Sequence, residues 1–206
     1  MTVERFDLRG IEPQPWKNGA GLTREIAFGG ASGADFDWRI SLAEVARDAP
    51  FSAFPGIDRC IVLLRGAGMR LRSAASGIDP VIDPAIEPAI DHTLTTPLAP
   101  FRFSGDVTLD AVLVDGACSD FNVMTRRGVF RSEVSCERSA TELRGGDVTL
   151  LLCSDGEWQV EADQASTLSP TQVLLWRAPV GPLRVAPIGD AAATLLAVRL
   201  CHDRRS

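Results

Sequence analysis

The sequence predicts an all-β protein built from two small barrels. Short runs rich in valine, leucine, isoleucine and phenylalanine alternate with glycine, proline and aspartate, which is typical of many short strands joined by turns. Helical periodicity is scarce, and only one short helix, near residues 43–48, is expected. A strand, a glycine turn and a second strand occur twice, at residues 61–72 and 149–162. This internal duplication favours two barrels over one.

The apolar runs give the individual strands. In chain order, the predicted strands are Leu22–Phe28, Asp37–Leu42, Cys60–Leu64, Met69–Arg72, Thr108–Val114, Val129–Cys136, Asp147–Cys153, Trp158–Glu161, Gln172–Trp176 and Thr194–Leu200. The runs at 108–116 and 194–200 are interpreted as matching return strands of the two copies. This interpretation divides the chain, residues 1–206, into halves at roughly 14–118 and 119–203.

A proline-rich acidic segment, residues 76–92, interrupts the first half. Within it, isoleucine, an acidic residue and proline recur at intervals of four residues. Proline removes backbone donors and is incompatible with a regular helix, so an extended loop is expected. An insertion without a defined role is the first interpretation of this loop, and docking of a basic partner is the alternative.

Composition excludes several classes of function. The net charge is −6 and the chain has a single lysine, Lys17, so nucleic acid is not an expected partner. The N-terminus lacks a signal-peptide pattern and no apolar run could cross a bilayer, which favours a cytoplasmic protein without a membrane partner. The cysteines are widely spaced, without a CxxC pair, and are interpreted as buried apolar residues. They are Cys60, Cys118, Cys136, Cys153 and Cys201.

Motifs for metal, nucleotide or nucleophilic chemistry are absent from the sequence. The two histidines, His92 and His202, have no partner at metal-ligand spacing and are expected on the surface. Neither a P-loop nor a GxGxxG motif occurs. We therefore predict no metal ligands, no cofactor and no catalytic residues.

Three arginines in strand-like segments suggest an anion site. Arg24, Arg39 and Arg59 all lie in patterned strand-like runs, and Arg39 has the apolar residues Trp38 and Ile40 on the opposite face. A guanidinium inside a barrel needs an anionic partner. Glu25 could neutralise one arginine internally, and an open anion site for a ligand is the alternative.

Five segments in the same order resemble the HutD/Ves family over residues 14–130. They are WKNGAGLTREI (16–26), FDWRIS (36–41), PFSAFPGIDR (50–59), FRFSGD (101–106) and DFNVM (120–124). The resemblance implies a bicupin, two cupin barrels in one chain, associated with bacterial histidine utilisation. It further implies binding of a pathway acid such as formylglutamate or urocanate, without an established reaction.

The cupin resemblance also predicts a change at the metal site. Cupins place a glycine seven positions after a metal-binding glutamate, and here Gly66 follows Arg59 at that distance. The segment 52–55, SAFP, stands where two ligand histidines are usual. Arg59 would thus replace a carboxylate by a guanidinium, which repels a cation and attracts a carboxylate.

The resulting site prediction combines charge, amides and aromatic walls. The predicted ligand-binding residues are Trp16, Asn18, Arg24, Arg39, Phe51, Ser52, Arg59 and Asn122. We expect a metal-free bicupin that binds a small carboxylate and acts in regulation or sensing. Two alternatives stay open: a cofactor-free isomerase, hydrolase or lyase with Glu25 or Asp58 as base, and an interaction protein that acts through its acidic loop. A homodimer is left open by analogy with other cupins.

Overall fold

The computed structural model describes residues 2–31, 35–73 and 89–204. Within those residues the regular secondary structure consists of strands and one 3-10 turn at Leu8–Gly10. The predicted all-β class is therefore confirmed. No helix in the described part of the chain has the length and apolar character needed to span a membrane.

The described strands follow one another with short connections. In chain order they are β1 Glu4–Asp7, β2 Gln14–Pro15, β3 Gly21–Gly30, β4 Phe36–Val45, β5 Ala49–Phe51, β6 Ile57–Arg65, β7 Met69–Ser73, β8 Asp91–Leu94, β9 Pro100–Ser104, β10 Leu109–Leu113, β11 Cys118–Arg126, β12 Phe130–Glu137, β13 Thr141–Leu143, β14 Val148–Asp155, β15 Trp158–Glu161, β16 Ala165–Leu168, β17 Gln172–Trp176, β18 Leu183–Pro187 and β19 Thr194–His202.

The chain forms two compact units. The first barrel is Pro13–Arg127, and the second barrel is Gly128–Ser206 together with Met1–Glu12. In the described residues the first barrel has one sheet of order β2-β3-β4-β11-β6-β9 and another of order β5-β10-β7-β8. Buried side chains of both sheets share one core, with Ile61 and Leu63 from the larger sheet and Leu71 and Leu109 from the smaller.

The second barrel repeats this arrangement. Its described sheets have the orders β1-β17-β14-β19-β12 and β13-β18-β15-β16. β14 and β15 stand where β6 and β7 stand in the first barrel, so the predicted duplication of the hairpin is correct. The order β4-β11-β6-β9 recurs as β12-β19-β14-β17, and β5-β10-β7-β8 recurs as β13-β18-β15-β16, as expected for a duplicated unit, while β1, β2 and β3 have no counterpart among the described strands.

The predicted return strand of the first copy needs correction. β10 lies in the smaller sheet between β5 and β7, and its counterpart is β18. β19 corresponds to β11, because β19 pairs with β12 and β14 as β11 pairs with β4 and β6. β11 pairs with β4 and β6, so the structural division falls after β11, at residues 127 and 128, rather than before it at 118 and 119.

Two local predictions also differ from the structure. Residues 43–45 continue β4 and residues 49–51 form β5, so the predicted short helix at 43–48 is wrong. Along β4 the buried residues Ala43 and Val45 alternate with the half-buried residues Leu42 and Glu44. Pairing with the neighbouring strands therefore overrides the local helix propensity. Of the proline-rich segment 76–92, the larger part lies outside the described residues, while Asp91 and His92 begin β8.

Gly66 is required by the backbone of the β6–β7 turn. Its φ is +88°, and a Cβ at this position would lie 2.5 Å from the carbonyl oxygen of Ala117. A side chain would therefore be strained both by conformation and by contact. The glycine seven positions after Arg59 closes the hairpin that carries Arg59.

Candidate functional site

One face of the larger sheet carries polar residues into the first barrel. Arg39 of β4 and Arg59 of β6 both pair with Met124 of β11, and Ile61 of β6 pairs with Asn122 of β11. Directly paired residues of antiparallel strands project from the same face. Because Ile61 belongs to the core of the first barrel, Arg39, Arg59 and Asn122 point into that barrel.

Arg59 is a buried cation with weak internal partners. The residue is 8% exposed. Its Nη1 and Nη2 donate to the Ser52 carbonyl oxygen at 3.5 Å and to Asn122 Oδ1 at 3.3 Å, both long hydrogen bonds to neutral groups. Its Nε has no hydrogen-bond partner among the described residues. Burial lowers the pKa of Arg59 to about 10, so the guanidinium stays charged at neutral pH.

Aromatic rings surround the Arg59 guanidinium. Its Cζ lies 5.0 Å from the ring centre of Phe103, 5.5 Å from that of Phe51 and 5.6 Å from that of Phe54. Trp16 packs edge-on against Phe51, with ring centres 6.0 Å apart. The structure thus brings the predicted aromatic residues Trp16 and Phe51 to the same region as Arg59. The rings stabilise the cation without neutralising it.

Asn122 connects Arg59 to a second buried charge, Asp120. Asn122 Nδ2 donates to Asp120 Oδ1 at 3.3 Å, and Asp120 Oδ2 has no hydrogen-bond partner among the described residues. Asp120 is 0% exposed. Burial raises the pKa of Asp120 to about 7, while the charge of Arg59 and the hydrogen bond from Asn122 act in the opposite direction. This carboxyl group can therefore change protonation state near neutral pH.

The other two predicted arginines already have carboxylate neighbours. Arg39 Nε lies 2.8 Å from Glu25 Oε2, with both side chains partly exposed, although its N–H does not point at the carboxylate. Arg24 forms an ion pair with Glu44. Arg24 pairs with Leu42, which alternates with the inward residues of β4, so Arg24 faces away from Arg39 and Arg59. The structure does not bring Arg24 to the site.

Two further predicted residues lie at the periphery. Asn18 is exposed, and its Oδ1 accepts from the backbone N–H of Ala20 at 3.0 Å, which closes a turn. Ser52 is also exposed and reaches Arg59 through its backbone carbonyl rather than its hydroxyl. Both residues therefore support the local backbone near the site and do not belong to its inward face.

Sequence reasoning missed three residues of the inward face. Asp120 and Phe103 are described above, and His92 is the third. His92 pairs with the core residue Leu71 and stacks on Phe101 with ring centres 3.7 Å apart and planes 5° apart. It is half-buried on the barrel side, so the expected surface position is wrong for His92. His202 is exposed, as predicted.

The residues present do not fit the metal ion that cupin barrels commonly hold. Among the described residues, no group of three His, Cys, Asp or Glu side chains comes together. The inward face offers one buried carboxyl, Asp120, beside the cation of Arg59. A guanidinium has no lone pair to donate and repels a divalent cation. The donor set of this barrel suits an anion.

The interior of the second barrel has a different chemistry. Its buried cluster consists of aliphatic, aromatic and cysteine side chains, including Leu151, Trp158, Val160 and Leu195. On the same face, Arg199 pairs with Thr149 and Glu133 and lies 3.0 Å from the Glu133 carboxylate, with both charged side chains open to solvent. Among the described residues, the charged ones that are buried, Arg59 and Asp120, both lie in the first barrel.

Comparison with family models identifies one match over most of the chain. The model of the HutD family matches residues 9–193. This range includes the whole first barrel with its inward face, and the second barrel except β1 and β19.

Comparison with solved structures gives the same fold. A conserved protein of unknown function from Pseudomonas aeruginosa is 29% identical, with a TM-score of 0.82 over 98% of this chain and 100% of the other. HutD from Pseudomonas fluorescens is 23% identical, with a TM-score of 0.78 over 98% and 99%. A formate complex of Lactobacillus farciminis oxalate decarboxylase is 9% identical, with a TM-score of 0.64 over 94% and 85%. The last similarity extends the fold to the bicupin enzymes.

Proposed function

The chain belongs to the HutD family, and we propose that its first barrel binds a small carboxylate of histidine degradation without a metal ion. A formylglutamate-like or urocanate-like acid is the ligand class, and regulation or sensing in the cytoplasm is the role. The membership supports a cupin associated with histidine utilisation. The chemistry of the inward face supports a carboxylate ligand, whereas the choice of acid and the regulatory role come from the family resemblance.

The buried guanidinium of Arg59 carries this proposal. A charge taken out of water costs several kcal/mol unless a partner compensates it. Arg59 donates to two neutral oxygens at long distance and contacts three aromatic rings, and its Nε has no partner in the part of the chain that the structure describes. The buried carboxyl of Asp120 acts on Arg59 through Asn122, without a direct hydrogen bond. A carboxylate would supply the short, charge-assisted hydrogen bonds that these partners do not.

Arg39 supplies a second positive group beside this position. Arg39 and Arg59 flank Met124 on neighbouring strands, so their backbones are roughly 10 Å apart. Both side chains are long enough to converge above Met124. Arg39 is partly exposed and paired with Glu25, whereas Arg59 is buried. A ligand carboxylate would thus meet Arg39 at the rim before it reaches Arg59.

The alternative of a cofactor-free enzyme receives less support from the proposed bases. Asp58 is exposed and pairs with Arg127, and it alternates with Arg59 along β6, so it faces out of the barrel. Glu25 is engaged with Arg39. Neither carboxylate is placed to act on a ligand held by Arg59.

Ligand-dependent thermal melts test the proposal. The panel is formylglutamate, urocanate, formiminoglutamate and glutamate, each titrated against the intact chain. A ligand at about one hundred times its Kd stabilises the folded state by about 2.7 kcal/mol, which raises the Tm by about 5–10 °C for a chain of this size. Mass spectrometry of the same mixtures detects turnover, and elemental analysis of the purified protein detects stoichiometric metal.

The expected result is a Tm increase for at least one acid, with the acid recovered unchanged and no stoichiometric transition metal. Arg24→Met is the control variant and should show the same Tm increase as the wild type, because Arg24 is an arginine of the same barrel that faces away from the site. Absence of stabilisation across the panel, or binding that requires an added transition metal, would contradict the proposal.

A further inference from the structure

Asp120 is the buried group that the proposed binding site leaves unexplained. It lies on β11 two residues before Asn122 and on the same inward face. The side chain is fully buried, and its Oδ2 has no hydrogen-bond partner among the described residues. An unpaired carboxylate oxygen inside a barrel is energetically unfavourable, so a native structure that retains one usually has a use for it.

The orientation of the Asn122 amide is fixed by Arg59. Arginine can only donate hydrogen bonds, so the amide oxygen of Asn122 must face Arg59 and its NH2 must face Asp120. Asp120 accepts from this NH2 with Oδ1 and remains free to bind a proton on Oδ2. The three side chains form one connected network in which the charge of Asp120 balances the charge of Arg59.

The surroundings of Asp120 contain few other charges. Cys118 lies two residues before Asp120 on the same face of β11. Leu63 of β6 and Ala43 of β4 pair with Asp120 from either side. Leu71 and Leu109 of the smaller sheet belong to the same apolar core. Thr23 of β3 pairs with Ala43.

The charged groups on this face form two balanced pairs. They are Arg59 with Asp120, and Arg39 with Glu25. The four groups sum to zero when both acids are ionised. Arrival of a ligand carboxylate would leave one negative charge in excess inside a region of low dielectric constant, where such an excess is costly. Burial already raises the pKa of Asp120 to about 7, so protonation of Asp120 is the easiest way to remove the excess negative charge.

We propose that Asp120 determines the charge of the ligand that the first barrel accepts, because a carboxylate binds Arg59 together with one proton that Asp120 takes up on Oδ2. This inference rests on the proposed function. The proton comes from the solvent, an O–H bond forms on Asp120, and no other bond changes. Arg59 then exchanges its balancing internal charge for the charge of the carboxylate that it binds, and the buried part of the inward face remains neutral. The second carboxylate of a dicarboxylate ligand would lie at the partly exposed rim beside Arg39.

Proton uptake is measurable on the unmodified protein. Formylglutamate is the probe, because its carboxylates stay ionised between about pH 6 and about pH 9. Isothermal titration calorimetry at about pH 8, in buffers of different ionisation enthalpy, should show uptake of between about half a proton and one proton per ligand. The Kd should rise by up to about tenfold for each pH step of one above about pH 7.5.

Asp120→Asn separates this role from a structural one. The amide keeps an acceptor for Asn122 and has no proton to bind, so uptake should fall to near zero and the Kd should become independent of pH. At about pH 8.5 the variant should bind about thirtyfold tighter than the wild type. A residue that only supports the fold would weaken binding when replaced.

Two variants control for other titrating groups. Asp110→Asn removes an exposed carboxylate of the same barrel and should behave like the wild type. His92→Phe retains the ring stack on Phe101 and should also retain the proton uptake. Binding without proton uptake, or uptake that persists in Asp120→Asn and vanishes in His92→Phe, would overturn the role of Asp120. Failure of all four acids of the thermal-melt panel to bind would instead overturn the proposed function.

Discussion

Arg59→Met removes the buried cation of the first barrel and keeps a side chain of similar length. The lost contacts are two hydrogen bonds at 3.5 and 3.3 Å to neutral oxygens, each worth no more than about 1 kcal/mol. Contacts with the aromatic rings add about 0.5–2 kcal/mol, and a methionine sulfur replaces part of this. Against these losses stands the release of a buried charge, which is worth several kcal/mol.

The partner left behind does not reverse this balance. Without Arg59, Asp120 is an uncompensated buried carboxyl, but burial raises its pKa to about 7 and it becomes neutral in mildly acidic solution. At about pH 6, the free energy of unfolding of Arg59→Met should therefore lie within about 1 kcal/mol of the wild type. Acid binding should weaken by about 2–5 kcal/mol, which is roughly 30-fold to several thousand-fold in Kd.

Chemical denaturation and calorimetric titration at the same pH measure the two quantities. Arg24→Met is the control and should retain the wild-type Kd, because Arg24 pairs with Glu44 on the opposite face of the sheet. The reasoning fails if Arg59→Met binds the acid within about threefold of the wild type. It also fails if the variant loses more than about 3 kcal/mol of stability, since Arg59 would then be a structural ion.

Two further predictions concern the charge and the core. Because burial raises the pKa of Asp120 to about 7, the folded state binds more protons than the unfolded state between about pH 4 and pH 7, so this group lowers the free energy of unfolding as the pH rises. Asp120→Asn should remove that contribution, so its free energy of unfolding in urea at about pH 8 should exceed that of the wild type by on the order of 2–4 kcal/mol. Equal free energies of unfolding of the two proteins at about pH 8 would contradict this prediction. Leu151→Ala, in the apolar interior of the second barrel, should cost about 2–5 kcal/mol of stability and leave the Kd of the folded protein unchanged. A raised Kd would indicate that the acid binds in the second barrel, which would contradict the proposed site.

Much of the strand pattern was accessible from the sequence because apolar residues mark buried strands. Each predicted apolar run overlaps a strand, including β6 and β14, which carry long apolar stretches. β11 was not predicted, since its sequence CSDFNVMTR mixes polar and apolar residues. Residues 120–123 alternate between polar and apolar, but Asp120 and Asn122 put the polar side chains on the inward face, which is the reverse of an apolar barrel core. Two residues of the site thus come from a strand that lacks the apolar run of a buried strand.

The composition of the site was harder to predict than its location. Alternation within β4 and β6 places Arg39 and Arg59 correctly on one face of each strand, but only the register of β4 and β6 with β11 shows that both point into one barrel. Arg24 satisfies the same pattern on β3 and faces the other way. His92 has no local signal, because its inward position arises from pairing with Leu71 on a neighbouring strand. Sequence periodicity cannot report which face of a strand is covered.

A crystal structure of the wild-type protein with formylglutamate would show whether an acid reaches the buried guanidinium. We expect a ligand carboxylate inside the first barrel, within hydrogen-bond distance of the Arg59 guanidinium, including its Nε, and with no metal ion beside it. Ligand bound in the second barrel, a metal ion on the inward face, or an Arg59 side chain turned away from the bound acid would contradict it.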